Sequence, residues 1–117
     1  MPGMAQDQTV TDVFRAISSP TRRALLDRLS SREQTVQRLA ASFQLTLPAI
    51  SQQLTILRQA GLVTVRRAGR RRVYRLNAEP LRSLMAWLQT YERFWVARLQ
   101  VRGQDEDRLE PDDQRWR

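Results

Sequence analysis

Between positions 35 and 61 the sequence TVQRLAASFQLTLPAISQQLTILRQAG holds two apolar-periodic stretches separated by little more than a turn. Threonine opens each of them. A threonine hydroxyl at an N-cap accepts a hydrogen bond from one of the backbone N–H groups that a helix start leaves without an intrahelical partner. Thr35 therefore caps a short expected helix, VQRLAASF, and Thr46 caps a longer one, LPAISQQLTILRQA, which Gly61 stops. Ile50, Leu54 and Leu57 recur at helical spacing in the second. Leu39, Phe43, Leu45, Ile50 and Leu54 can form a small core that fixes the two helices against each other across a three-residue turn.

The flanks complete the architecture. Thr9, with Asp12 three residues on, reads as a capping-box-like start for a first helix carrying Val10, Val13, Phe14 and Ile17. Ser19–Pro20 starts a second helix, with Ala24, Leu25, Leu26 and Leu29 apolar. Beyond Gly61, LVTVRR alternates as a strand, Ala68–Gly69 turns, and RRVYRL returns. Glu79–Pro80 opens a long last helix to about Arg102. The expected fold is mainly α with a small β-hairpin, in the order α-α-α-α-β-β-α, which is a winged helix-turn-helix. Residues 1–8 are expected to be a flexible N-terminus, 9–102 the folded domain, and 103–117 an acidic, disordered tail.

Composition narrows the chemistry. A chain of 117 residues suits one small domain. It has no Cys and no His, which removes disulfides, thiolate and imidazole metal sites, thiol catalysis and the commonest general base. Lysine and a phosphate-cradling glycine loop are absent too, so an enzyme is the least expected class. No cofactor is expected. The net charge of +8 is uneven: residues 1–102 carry 17 Arg against 6 acids, and residues 103–117 carry 3 Arg against 6 acids. A basic body of this kind favours a polyanionic partner. No apolar run reaches a membrane span and the N-terminus lacks a secretory pattern, so a cytoplasmic location and no membrane partner are expected.

Two segments present that charge and polarity. Thr46, Pro48, Ala49, Ser51, Gln52 and Thr55 lie on the face of the longer helix opposite its leucines. They are short or amide-bearing, so the backbone could lie deep in the major groove of double-stranded DNA while Gln52 or Gln53 reads base edges, glutamine pairing bidentately with adenine. Arg58 would fall near the backbone of the nucleic acid. Taken alone, an ordinary amphipathic helix with a polar outer face reads the same way. The neighbouring RRAGRRRVYR, residues 66–75, favours the first reading, because Arg66, Arg67, Arg70, Arg71, Arg72 and Arg75 suit a wing that reaches phosphates or the minor groove. Strand alternation prevents all six from facing one partner at once. A membrane patch needs an apolar face that a two-stranded hairpin lacks, and localisation signals usually lie in flexible segments. The alternative that remains is a winged-helix interaction module docking an acidic protein.

The segments ISSPTRRALLDRL, TVQRLAASFQLTLPAISQQLTILRQAGLV and VRRAGRRRVYRL resemble the ArsR family of bacterial transcriptional repressors over about residues 10–100, most specifically in SQQLTILRQAGLV at 51–63. The resemblance implies a homodimer that binds a pseudo-palindromic operator. It places the base-contacting residues at Pro48, Ser51 and Gln52, with Thr46 as the cap and Thr35 near the phosphates. Two departures stand out: Gln53 occupies a position where many members have His, and Gln44 a turn position often taken by Gly. A left-handed Gln44 would cost about 1–2 kcal/mol. The metal-sensing members use Cys pairs on the third helix or near the N-terminus, or His with carboxylates on the last helix. Here the third helix offers Val36, Gln37, Arg38 and Leu39, and the last helix only Glu79 and Glu92, so the resemblance is to a subgroup without the metal sites.

On the last helix Leu81, Leu84, Met85, Leu88, Tyr91, Trp95 and Leu99 fill one arc, widened by Trp87, Phe94 and Val101. One flank suffices for the helix's own domain. The remainder suits the same helix of a second chain, joined by Val10, Val13 and Phe14 of the first helix. An intramolecular core helix and an apolar effector pocket are the other readings of this arc. The residues identify no small-molecule effector.

Overall fold

The computed structural model describes residues 2–96, with side chains described from Gln8 onward. In chain order the elements are α1 (Pro2–Ile17), α2 (Pro20–Ser31), β1 (Gln34–Thr35), α3 (Val36–Phe43), α4 (Leu47–Gln59), β2 (Val63–Ala68), β3 (Arg71–Leu76) and α5 (Leu81–Gln89). Three of the helix starts are set by hydroxyl caps: Ser19, Thr35 and Thr46 accept hydrogen bonds from the backbone N–H of Arg22, Arg38 and Ala49. Pro20 follows its cap directly, where the missing N–H costs nothing. The result is mainly helical with a small antiparallel hairpin, the winged helix-turn-helix expected.

The chain divides into two compact units, Met1–Met85 and Ala86–Arg117. The first contains the helix-turn-helix, the wing and the core. Leu25, Leu39, Ile50, Leu54, Leu57 and Leu62 are wholly buried there, one set from each of α2, α3 and α4 with the start of the hairpin closing over them. At about 25 cal/mol per Å2 of apolar surface, each such side chain contributes roughly 1.5–3 kcal/mol. Gly61, with φ +78, ends α4 in the left-handed region, and the turn it makes feeds Leu62 and Val63 into the core.

Several details differ from the sequence reading, and Leu45, expected in the small core between the two helices, is 42% exposed. The sheet has three strands in the order β1-β3-β2, because Gln34 and Thr35 pair with Tyr74 and Val73. A two-residue strand carries no periodicity, so pattern alone does not reveal it. The hairpin turns at Gly69–Arg70, one residue later than expected, since Ala68 still pairs with Arg71. Gly69 has φ +66 and Arg70 does not have a positive φ, the combination of a type II′ turn. α1 begins at Pro2, so Thr9 lies inside it rather than at its cap, and the expected flexible stretch 1–8 is helical from residue 2. The expected last helix is interrupted: α5 ends at Gln89, the chain turns at Thr90–Tyr91 and is helical again over 92–96, because the N–H groups of Thr90 and Tyr91 bond three residues back, to Trp87 and Leu88, and the Thr90 hydroxyl also donates to the Trp87 carbonyl at 2.7 Å. That hydroxyl competes with the helix ladder. Leu99, Val101 and the 103–117 tail lie outside the described residues.

Candidate nucleic-acid interface

The angle between α3 and α4 is set by a tight turn centred on Gln44, whose φ of 55 and ψ of 37 put it in the left-handed region. The Gln44 and Leu45 N–H groups close the end of α3 by bonding to the Ala41 and Ala40 carbonyls at 3.4 and 3.2 Å. The strain anticipated at this position is present. From there α4 buries Ile50, Leu54 and Leu57 and leaves Pro48, Gln52, Thr55 and Arg58 exposed, with Ser51 half-buried beside them.

Three hydroxyls frame this surface. Thr35 and Thr46 use an oxygen lone pair to accept from Arg38 and Ala49, both at 3.2 Å, which leaves each O–H able to donate to a phosphate oxygen. Thr55 instead donates to the Ser51 carbonyl at 2.9 Å, so its proton is engaged within the helix.

Gln53 does not join them. Its amide oxygen accepts from Arg22 of α2 at 2.9 Å, and the residue is half-buried. Arg22 also donates to the carbonyls of Ala16 and Arg15 at 2.6 and 3.0 Å, and Arg23 donates to Ile17 at 2.7 Å. Two guanidinium groups thus help satisfy the carbonyls at the end of α1, at the negative end of its dipole, the Arg15 carbonyl also accepting from the Ser18 hydroxyl at 2.7 Å. Sequence pattern alone does not single out Arg22. Its position in the first turn of a helix that doubles back over the preceding helix end is the available signal.

The hairpin register sorts the wing. Val63, Val65, Arg67, Arg72, Tyr74 and Leu76 share one face, paired 63–76, 65–74 and 67–72, and the apolar members anchor it to the core. Arg66, Arg71 and Arg75 point to the other face, and Arg70 stands in the turn. All six arginines are exposed. Arg66 forms an ion pair with Glu33, the residue just before β1, and reaches across the central strand to do so. That hydrogen bond, helped by the charges of Arg66 and Arg75, holds the Glu33 carboxyl below its ordinary range despite slight desolvation. The other wing arginines take part in no ion pair among the described residues.

The expected pairing face divides. Val13 is wholly buried in its own chain and is removed from that face: it stands on the inward side of α1, one turn from Ala16. Val10, Leu81 and Leu84 are half-buried, and Leu81 packs against the core cluster. Phe14 and Met85 are exposed, Met85 by 61%. Within the second unit Leu88, Tyr91 and Trp95 are exposed, as are Trp87, Phe94 and Val96. Trp87 and Tyr91 stack edge-to-face at 5.3 Å. Among the described residues no three His, Cys, Asp or Glu gather as a possible metal site, and no helix is long and apolar enough to cross a membrane.

Comparison with known proteins identifies the family. The family model for bacterial regulatory proteins of the arsR family matches residues 19–65, from the cap of α2 into β2. The chain is 37% identical to the transcriptional repressor SdpR of Bacillus subtilis (strain 168) over 82 residues, 70% of this chain and 91% of that protein. It is 40% identical to the HTH-type transcriptional regulator Rv2034 of Mycobacterium tuberculosis over 86 residues, 74% of this chain and 78% of that one. Its fold is similar to the solution structure of the homodimeric winged helix-turn-helix DNA-binding domain Mb0332 from Mycobacterium bovis, with a TM-score of 0.64 and 30% identity over 86% of this chain and 89% of that one. The family is one of regulators and not of enzymes: this chain belongs to the ArsR family of bacterial regulatory proteins and is a DNA-binding transcriptional regulator.

Proposed function

We propose that the protein is a homodimeric repressor in the cytoplasm, bound at the nucleoid when it holds a pseudo-palindromic operator. The α4 helices of two copies enter successive major grooves about one helical turn apart, and the wings hold the flanking backbone. Pro48, Ser51 and Gln52 face the bases, with Gln52 as the residue of longest reach. Thr35, Thr46, Arg58 and the wing arginines Arg67, Arg70, Arg71 and Arg72 serve the phosphates. The observation that carries this reading is the juxtaposition, in one compact unit, of an exposed short-chain and amide face on α4 with an arginine hairpin. Repression is supported by the name given to SdpR, and pairing by the homodimeric state of the Mycobacterium bovis domain together with the exposed Phe14, Met85, Leu88, Tyr91 and Trp95. The acidic-partner alternative has no comparable support.

The test is binding by fluorescence anisotropy to a duplex that the protein selects from a random-sequence pool, against an unrelated duplex of equal length. The wild-type protein should prefer the selected duplex, and Gln52→Ala should lower that preference by about 1–3 kcal/mol, what one bidentate base contact is worth. Equal binding to both duplexes would leave no sequence reading and return the surface to the acidic-partner alternative.

A further inference from the structure

We infer that Arg22 is a positioning residue for DNA reading: it fastens α4 to the end of α1 through Gln53, and so sets the rotation at which Gln52 meets the bases. The inference rests on the DNA-reading function proposed above and deepens it.

The geometry is specific. A guanidinium is a planar fork of five donors with no acceptor, and its hydrogen bonds are directional. On one side of Arg22, Nε and Nη2 donate to the carbonyls of Ala16 and Arg15 at 2.6 and 3.0 Å, which fixes the plane of the group against the last turn of α1. On the other side, Nη1 donates to Oε1 of Gln53 at 2.9 Å. Arg22 is half-buried, so its charge is spent on three neutral acceptors within the chain. Ile50, Leu54 and Leu57 hold α4 by burial, a force that is not directional. The Arg22–Gln53 bond adds a direction. Gln52 is the adjacent residue on the helix, so a small rotation of α4 about its axis that the leucines could absorb would sweep the Gln52 amide across the groove floor.

The same bond gives Gln53 a different task from Gln52. Base reading by Gln53 requires its amide to leave Arg22, which would strand a half-buried guanidinium donor. The two adjacent glutamines therefore divide the work, one turned outward to read and the other turned inward to hold.

Arg22→Met and Gln53→Met remove the bond from either end, and Arg22→Met/Gln53→Met removes both partners. Binding is measured to the selected and unrelated duplexes over a series of salt concentrations, with the thermal midpoint of each variant recorded. A tether predicts that each single variant lowers the selected-to-unrelated affinity ratio by roughly tenfold, the value of one well-placed base contact. The double variant should lose no more than either single one, because the pair acts as a unit. The salt slope should stay unchanged, since no phosphate contact is removed. Arg22→Lys, which keeps a donor, should recover part of the ratio. A salt slope lower by about 0.9 per protomer in Arg22→Met would make Arg22 a phosphate contact and overturn the inference. An unchanged ratio in a folded Gln53→Met would overturn it as well, and that variant keeps the Arg22 caps on α1 should Arg22→Met fail to fold. A wild-type protein with no preference for its selected duplex would overturn the DNA-reading function itself, and the tether's role with it.

Discussion

Gln44 holds a left-handed conformation with a Cβ, and Glu33 holds a wing arginine with a carboxylate; each sets up a local conflict that substitution can release. Gln44 is exposed, so its side chain contributes little and its backbone strain of about 1–2 kcal/mol dominates. Gln44→Gly removes that strain, while glycine's greater freedom in the unfolded chain takes back about 0.5–1 kcal/mol. The variant should gain roughly 0.5–1 kcal/mol, seen as a higher urea midpoint at unchanged slope. Glu33→Gln should free Arg66 for a phosphate, raising affinity for unrelated DNA at low salt and steepening the salt slope by about 0.9 for each additional phosphate neutralised. Because the Glu33 pKa is lowered in the folded chain, the pair's contribution is complete above the ordinary carboxylate value and is lost only as pH falls through the lowered one. Lowering the pH from neutrality to mild acidity should therefore leave wild-type affinity unchanged, and a titrating step in that window would contradict the assignment.

Elements are legible in the sequence where a side chain announces its own backbone role. Ser19, Thr35 and Thr46 cap the helices that their positions suggest, and Gly61 and Gly69 make the turns that only positive φ permits. What stays hidden is decided by long-range partners. β1 exists because β3 passes beside it, and Val13 belongs to the interior because α1 lays that side inward, although its spacing fits a pairing face equally well. Gln53 has the spacing of a reader, yet Arg22, 31 residues earlier, holds it. The wing acts as one element. Arg70→Ala with Arg71→Ala should weaken binding to selected and unrelated duplexes alike and flatten the salt slope, because charge at the turn grips phosphates without regard to sequence.

For the whole molecule, the proposed pairing makes affinity depend on two copies acting together. If a dimer neutralises about six phosphates, binding should fall on the order of a thousandfold between about 50 and 200 mM salt. Leu88→Glu places a charge among exposed apolar side chains of the second unit and should shift sedimentation toward monomer, while the far-ultraviolet dichroism of the first unit persists. Its DNA binding should then weaken through lost pairing alone, with selectivity per half-site retained.

The position of β2 at the border of the sheet has a separate consequence. Among the described residues its outward N–H and C=O groups between Val63 and Ala68 have no neighbouring strand, and an open strand of this kind is a template for accretion of further chains. Arg66 and Arg67 lie on that border and Arg70 to Arg72 at its tip, so a second hairpin approaching edge-on meets like charge. The guanidinium groups that suit a polyanion thus also keep the hairpin solitary. A wing stripped of charge would lose the phosphate contacts proposed for it and become adhesive in the same stroke. In concentrated salt, where repulsion is screened within about 3 Å at 1 M, the native border is least defended against self-association.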